Sequence, residues 1–151
     1  MTIWLGGNDS CLEFSPQHVP LNKYSKNLHR LVQMVKSPSS PLYSPDTAVI
    51  LLTPPPVDTY QRNASLSARD PPIKLDRHFD VTKSYAEAVK NVGLRENIPI
   101  VDVWSVIFDA ANQDEHALGE YLCDGLHLSA TGYQVYSYSP TASGVLICFL
   151  L

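Results

Sequence analysis

Residues 47–52 (TAVILL) decide the fold class, because they form an unbroken run of apolar and β-branched side chains that ends at Thr53-Pro54-Pro55-Pro56. A strand that is buried on both faces, as in a parallel sheet, has such a continuous apolar sequence. Proline cannot donate a hydrogen bond to a β-ladder, so three prolines in a row end the strand abruptly. The stretch therefore predicts a short interior strand of a parallel sheet.

Helices are predicted on both sides of this strand. Apolar side chains recur every three or four positions in residues 20–36 and 79–97, a spacing that predicts helices with one buried face. Residues 105–111 predict a short helix, and Ser129 has the side chain of an N-cap for a last helix. The helices and the central strand alternate along the chain, as they do in α/β domains.

Two further strands complete the predicted sheet. Residues 2–5 (TIWL) run into Gly6-Gly7, and residues 99–104 (PIVDVW) follow the second long helix. Residues 57–75 are polar and rich in proline, and predict a long loop of the kind that is usually functional or disordered. We therefore predict an α/β domain with a mostly parallel sheet, whose active groups lie beyond the carboxyl ends of the strands.

The composition excludes several classes of protein. The chain has 151 residues and a formal net charge of -4, which fits one domain and argues against a nucleic-acid partner. A membrane span needs about 20 apolar residues, and the longest apolar run here is residues 145–151 (VLICFLL), so no membrane span is expected. Three cysteines form no disulfide framework and slightly favour a reducing, cytoplasmic compartment.

One candidate site is the sequence Asp124-Gly125-Leu126-His127. An Asp carboxylate three residues before a His can accept the imidazole Nδ1–H and leave Nε2 free as a general base. The alternative interpretation is a surface Asp beside a histidine without a catalytic role.

A second candidate site is the sequence Gly6-Gly7-Asn8-Asp9, directly after the first strand. The side-chain amide of Asn8 can donate a hydrogen bond to a developing oxyanion at the mouth of the sheet. The alternative is an ordinary turn, since Gly, Asn and Asp are common turn residues.

Taken together, G-x-N-D at a strand end and D-G-x-H-L-S near the last helix resemble the SGNH (GDSL-type) hydrolase family. Within the family the chain is most similar to the isoamyl-acetate-hydrolysing esterases, which residues 51–57 (LLTPPPV) also resemble. The resemblance implies a three-layer α/β/α, flavodoxin-like fold over residues 1–136, with residues 137–151 as an atypical tail. It also implies a serine esterase that hydrolyses small carboxylic esters such as acetates, without a cofactor or a metal.

The resemblance assigns roles residue by residue. His127 matches the catalytic base of the family, Asp124 the acid that orients it, and Asn8 the asparagine of the oxyanion hole. Gly6 and Asp9 match the supporting positions of the same sequence block.

The chain also departs from the family pattern. The family nucleophile lies in a Gly-Asp-Ser motif upstream of the Asn block, and no Gly-Asp-Ser occurs in this sequence. We therefore expect the fold to be incomplete, with its first strands and catalytic serine missing, and the chain to have no useful esterase activity. Ser10 and Ser129 are too close in sequence to Asn8 and His127 to replace the nucleophile, and Cys123 is predicted to be a small buried hydrophobe.

The same departure predicts an uncovered edge of the sheet. In the family order, the missing strands pair beside the strand that carries Trp4, so this strand is expected to lie unpaired and to promote self-association. Two alternatives to the esterase hypothesis stay open. One is a non-catalytic remnant that binds another protein through this edge, and the other is a flavodoxin-like ligand-binding domain.

Overall fold

Three short parallel strands lie at the centre of the structure, a computed structural model that describes residues 1–137. The strands are β1 (Thr2–Trp4), β2 (Ile50–Leu52) and β3 (Ile100–Val101), in the spatial order β1-β2-β3. β2 is the interior strand, as its continuous apolar sequence predicts. It pairs with β1 on one side and with β3 on the other.

Helices cover both faces of this sheet. They are α1 (Leu21–Lys36), α2 (Thr59–Ser67), α3 (Phe79–Glu96), α4 (Val103–Ala110) and α5 (Ala130–Ser137), together with a 3-10 helix at Glu115–Glu120. Leu51 packs into the core beneath α1 and α3, whereas its neighbour Leu52 packs into a second core with α4 and α5. Because successive side chains of a strand point to opposite faces, the two cores are the two sides of a three-layer α/β/α arrangement.

The long helices α1 and α3 follow their predicted apolar stripes. In α1 the buried side chains include Tyr24 and Leu28, and in α3 they include Tyr85 and Val89. The rings of Tyr24 and Tyr85 meet with their centroids 5.0 Å apart. The α3 helix also contains Gly93, where a Cβ atom would collide with the side chain of Ile100 in β3. The glycine therefore allows close packing of α3 on the sheet, which explains its place inside a helix.

The predicted loop at residues 57–75 is wrong over its first half, because α2 lies there. Asp58 is the N-cap of this helix, and its Oδ1 accepts hydrogen bonds from the backbone N–H groups of Tyr60 and Gln61, both at 2.9 Å. The apolar pattern that would reveal the helix is weak, since its buried residues are Arg62 and Leu66.

The third strand is shorter than predicted, and the 3-10 helix was not predicted. β3 ends at Val101 because Asp102 caps α4, with its Oδ1 accepting from the N–H of Ser105 at 3.1 Å. The last helix begins as predicted, with Ser129 Oγ accepting from the N–H of Gly132 at 3.1 Å. Capping side chains therefore decide these two boundaries.

The proposed tail at residues 137–151 falls outside the described residues except for Ser137, and so does the apolar run at residues 145–151. Within residues 1–137, no helix combines the length and the apolar character that a membrane crossing requires. β1 lies at the edge of the sheet, where β2 is its one strand neighbour in the described part of the chain.

Candidate active site

The loops that follow β1 and β2 meet the segment before α5 around an open cleft of about 330 Å³. Its walls include the Asn8 loop (residues 6–9), Pro54 and Pro55 after β2, and residues 126–128. Asn8 and His127 therefore face one cleft, at the carboxyl ends of the strands where the topology places it.

The Asn8 loop is a tight turn that its own residues close. Gly6 has a φ of +116°, and its N–H donates to Asp9 Oδ2 at 3.1 Å. The N–H of Ser10 then donates to the carbonyl oxygen of Gly6 at 3.0 Å. A Cβ atom at position 6 would lie 2.7 Å from the Tyr24 hydroxyl, so the left-handed backbone and the close approach both require glycine.

Asn8 itself is exposed, and one end of its amide is held by the protein. Asn8 Oδ1 accepts a hydrogen bond from Arg77 Nη2 at 3.0 Å. Within residues 1–137 no protein group accepts from the Asn8 Nδ2 atom. The amide nitrogen is therefore available to an acceptor in the cleft, as an oxyanion donor must be.

Asp124 holds the backbone and the ring of His127 at the same time. His127 Nδ1 lies 3.1 Å from both carboxylate oxygens of Asp124. Asp124 Oδ1 also accepts from the backbone N–H groups of His127, at 2.9 Å, and Leu126, at 3.1 Å. An ionised carboxylate only accepts, so Nδ1 carries a proton, and Nε2 is the ring nitrogen that Asp124 leaves free. The ring is 73% exposed.

Asp124 is ionised in this setting. Its partial burial would raise the pKa of the carboxyl, but the hydrogen bonds from the His127 N–H, the His127 ring and the Leu126 N–H outweigh burial and hold the pKa below its ordinary value. The charge that orients the imidazole is therefore present at neutral pH.

The His127 loop (residues 124–127) is attached to α2. The backbone N–H of Asp58, the N-cap of α2, donates to the carbonyl oxygen of Gly125 at 3.0 Å. Gly125 has a φ of +77°, and a Cβ atom there would lie 2.6 Å from the Asp58 carbonyl oxygen and 2.8 Å from Arg62 Cα. Glycine thus lets the loop lie directly against the helix backbone.

Three charged residues behind the cleft were missed by sequence reasoning: Arg62, Asp76 and Arg77. Arg62 Nη1 donates to Asp124 Oδ2 at 2.8 Å, and Arg77 contacts Asn8 as described above. They lie in and after α2, within or beside a stretch whose composition indicates a loop. The one available signal was Asp58 followed three residues later by Gln61, an N-terminal helix signature.

Neither serine considered as a substitute nucleophile lines the cleft. Ser10 is buried, and its Oγ donates to the Gly7 carbonyl oxygen at 3.3 Å. Ser129 Oγ donates to the Glu120 carbonyl oxygen at 3.0 Å and caps α5 through Gly132. Both hydroxyl groups are thus engaged by the backbone.

The predicted burial of Cys123 is wrong, because this cysteine is exposed. It precedes Asp124 at the rim of the His127 loop, where its Sγ lies 3.6 Å from the Leu128 carbonyl oxygen. Cys123 is not among the residues that line the cleft. Over residues 1–137, no three His, Cys, Asp or Glu side chains come together in a way that would hold a metal ion.

Comparison with known sequences places the chain in a family. Residues 1–135 match the model of the GDSL-like Lipase/Acylhydrolase family. The chain is 36% identical over 136 residues to the isoamyl acetate-hydrolyzing esterase 1 homolog of Mus musculus, a match that covers 87% of this chain and 50% of that protein. It is 35% identical over 138 residues to GDSL esterase/lipase At5g45920 of Arabidopsis thaliana, covering 89% of this chain and 54% of that protein.

Solved structures share the fold. A lipase/acylhydrolase from Enterococcus faecalis superposes with a TM-score of 0.59 at 25% identity, covering 89% of this chain and 54% of that one. Axe2, an acetylxylan esterase from Geobacillus stearothermophilus, superposes with a TM-score of 0.62 at 23% identity, covering 89% and 53%.

These matches confirm the resemblance to SGNH (GDSL-type) hydrolases and the α/β fold that it implies. The chain spans about half the length of the curated relatives it matches. It belongs to the GDSL-like lipase/acylhydrolase family, together with relatives that are named as esterases.

Proposed function

We propose that this chain supplies three groups of a carboxylic ester hydrolase: His127 as the base, Asp124 as the acid that orients it, and Asn8 as an oxyanion donor. The observation that carries the proposal is that Asn8 and His127 line the same cleft. The contact of His127 Nδ1 with Asp124 supports the assignment of Nε2 as the proton acceptor.

In this proposal His127 Nε2 accepts the proton of a serine hydroxyl as the serine attacks the ester carbonyl, and later returns a proton to the leaving alcohol. Asn8 Nδ2 donates to the oxyanion of the tetrahedral intermediate, a contact worth roughly 10²–10³-fold in turnover. Gly6 and Asp9 support Asn8, because they close the turn that presents it.

The serine itself is not part of this assignment. The 151-residue sequence contains no Gly-Asp-Ser, and Ser10 and Ser129 are engaged elsewhere. Loss of a triad serine lowers turnover by about 10⁶-fold. We therefore propose that these 151 residues alone have no useful esterase activity, and that activity needs a segment that brings a serine to the cleft.

The substrate proposed for the complete site is a small uncharged ester. The cleft measures about 330 Å³, and Trp4, Pro54, Pro55 and Leu128 give it apolar walls. Such a space suits a short acyl chain and a small alcohol better than a long lipid. The name of the mouse relative, an isoamyl acetate-hydrolyzing esterase homolog, agrees with this class of substrate.

The test uses p-nitrophenyl acetate. The 151-residue chain is expected to hydrolyse it no faster than buffer. The same chain, joined to the part of the mouse relative that its match leaves uncovered, is expected to hydrolyse it in a manner sensitive to serine reagents. His127→Ala should then abolish turnover, whereas His116→Ala, at an exposed histidine stacked on Tyr60, should leave it unchanged.

Two results would contradict the proposal. One is serine-reagent-sensitive turnover by the 151-residue chain alone, which would place a nucleophile within it. The other is an active fusion protein in which His127→Ala and His116→Ala have equal rates, because His127 would then not be the base.

A second candidate function, binding of a second copy through the β1 edge, is favoured by one observation. Four exposed apolar side chains lie together beside β1 around a groove of about 580 Å³: Met1, Leu5, Met34 and Leu42. An edge strand flanked by apolar surface promotes association between chains. Sedimentation of the chain at increasing concentration should show dimers that Leu42→Asp reduces, and a monomer at all concentrations would exclude this function.

A further inference from the structure

Two arginine side chains are buried behind the cleft. Arg62 is 6% exposed and Arg77 is 2% exposed. Buried charges are rare in proteins unless they are paired and fully hydrogen-bonded. The hydrogen-bond partners of these two arginines therefore indicate which parts of the site the buried charges position.

Both arginines share the carboxylate of Asp76. Arg62 Nε donates to Asp76 Oδ1 at 3.0 Å and Arg62 Nη2 donates to Asp76 Oδ2 at 3.1 Å, a bidentate pair. Arg77 Nη1 donates to the same Oδ2 atom. Burial would raise the pKa of Asp76, but these hydrogen bonds and positive charges outweigh it and hold the pKa below its ordinary value. Asp76 is thus an ionised link between the two arginines.

From Arg77 the contacts lead to the Asn8 loop. Arg77 Nε donates to the Gly7 carbonyl oxygen at 2.8 Å, and Arg77 Nη2 donates to Asn8 Oδ1 at 3.0 Å. A guanidinium group has donors and no acceptor, so the atom of the Asn8 amide that faces Arg77 must be the oxygen. The amide nitrogen is thereby turned away from Arg77, which is the orientation that an oxyanion donor needs.

From Arg62 the contacts lead to the His127 loop. Arg62 Nη1 donates to Asp124 Oδ2 at 2.8 Å, while backbone N–H groups of the loop hold Asp124 Oδ1. Each oxygen of the carboxylate thus has a fixed donor besides the imidazole. Arg62 and the loop N–H groups together therefore fix the plane of the carboxylate, and with it the direction of the Nδ1–H bond of His127.

We propose that Asp76 is a positioning residue that, through Arg77 and Arg62, orients the Asn8 amide and the Asp124–His127 pair together. The inference rests on the proposed function of Asn8, Asp124 and His127. The cluster joins two cations to two carboxylates, Asp76 and Asp124, so its charges balance behind the cleft.

NMR spectroscopy of the full 151-residue chain tests this without any ester hydrolysis. The ¹⁵N shifts of the His127 ring report its tautomer, and the side-chain NH₂ signals of Asn8 report its amide. Asp76→Asn should shift the His127 ring from the Nδ1–H form towards a mixture of tautomers and should also move the Asn8 signals. Glu96→Gln is the matched control, since Glu96 is a well-paired carboxylate whose partners His29, Gln33 and Arg95 lie outside the cleft.

Two conservative variants test the contact of Arg77 with Asn8 and the contact of Arg62 with Asp124 separately. Both remain informative if Asp76→Asn fails to fold. A lysine cannot replace the fork of donors that arginine supplies. Arg77→Lys should therefore move the Asn8 signals and leave the His127 tautomer unchanged, and Arg62→Lys should do the reverse.

The proposal is overturned if folded Asp76→Asn leaves both sets of signals in their wild-type positions, or if Glu96→Gln moves them equally. It is also overturned if Arg77→Lys does not act on the Asn8 signals alone and Arg62→Lys does not act on the His127 tautomer alone. Failure of the proposed function would appear differently, as an active fusion protein that does not need His127, and would leave these NMR results as they are.

Discussion

The two loops that face the cleft are built in different ways. The Asn8 loop is closed by contacts within a few residues, such as the Gly6 N–H to Asp9 and the Ser10 N–H to Gly6. The His127 loop is also closed locally by Asp124, but it is held in place by α2, more than 60 residues earlier, through Gly125 and Arg62. The turn of the Asn8 loop is thus closed by its own residues and is contacted from outside by Arg77, whereas the placement of the His127 loop depends on a buried charge in a distant helix.

The largest loss of stability should come from removing the charge of Arg62. Arg62→Ala leaves Asp76 and Asp124 without their shared partner, and breaking a buried ion pair costs about 3–5 kcal/mol. The control is Arg95→Ala, whose side chain is 57% exposed in its ion pair with Glu96 and whose loss is expected to cost less than about 1 kcal/mol. The free energy of unfolding in urea measures both, and equal losses would contradict a special role for Arg62.

The next largest loss of stability should come from a substitution that disturbs the close packing of the His127 loop on α2. Gly125→Ala places a Cβ atom against the α2 backbone and forces a left-handed φ on alanine, together a loss of about 2–3 kcal/mol. Gly7→Ala is the matched control in the Asn8 loop, since a Cβ atom there meets nothing within 4 Å, and it should change stability by less than about 0.5 kcal/mol. A larger loss of stability in Gly7→Ala than in Gly125→Ala, measured by urea denaturation, would contradict this difference between the two loops.

Acid should weaken the attachment of the His127 loop. The pKa values of Asp76 and Asp124 are both held below their ordinary values in the folded chain. A depressed carboxyl pKa stabilises the fold above the unfolded pKa of about 3.9, and this contribution is lost as the pH falls through the lower, folded pKa. Urea midpoints should therefore fall from pH 5 to pH 2 in the wild type and less steeply in Asp76→Asn. Parallel pH profiles would contradict this origin of the acid sensitivity.

The smallest loss of stability is expected from a substitution within the Asn8 loop. Asp9→Ala removes the acceptor of the Gly6 N–H, a loss of about 0.5–1.5 kcal/mol, and should speed hydrogen exchange at that amide. Asp46→Ala, at an exposed residue, is the control and should leave the exchange unchanged. Unaltered protection of Gly6 in Asp9→Ala would show that other contacts close the turn.

Local patterns predicted much of the fold. The apolar runs and the three-to-four spacing gave the three strands and the long helices α1 and α3, because burial of a continuous stripe leaves a regular pattern. They missed α2, since its inward face carries Arg62 rather than an apolar stripe. Strand ends depended on single capping residues such as Asp102, which patterns of hydropathy do not weigh.

For the site, the sequence named the residues that face the cleft but not those that hold them. Asn8 and His127 stand beside recognisable turns, and parallel topology brings such turns to one edge of the sheet. Asp76 and Arg77 act through contacts with residues up to 70 positions away, such as Arg77 with Gly7, and these leave no periodic trace. The catalytic roles of Asn8, Asp124 and His127 stay predictions.

The most direct test of the account is whether the two loops share one cleft in solution. A nitroxide spin label is attached to the chain carrying His127→Cys, Cys123→Ser and Cys148→Ser, in which Cys11 stays buried. Strong paramagnetic broadening is expected for the NMR signals of Gly7 and Asn8, but not for that of Leu94, which lies in the last turn of α3 near the amino end of β3. Full signal intensity at Asn8 in the labelled, folded protein would contradict it.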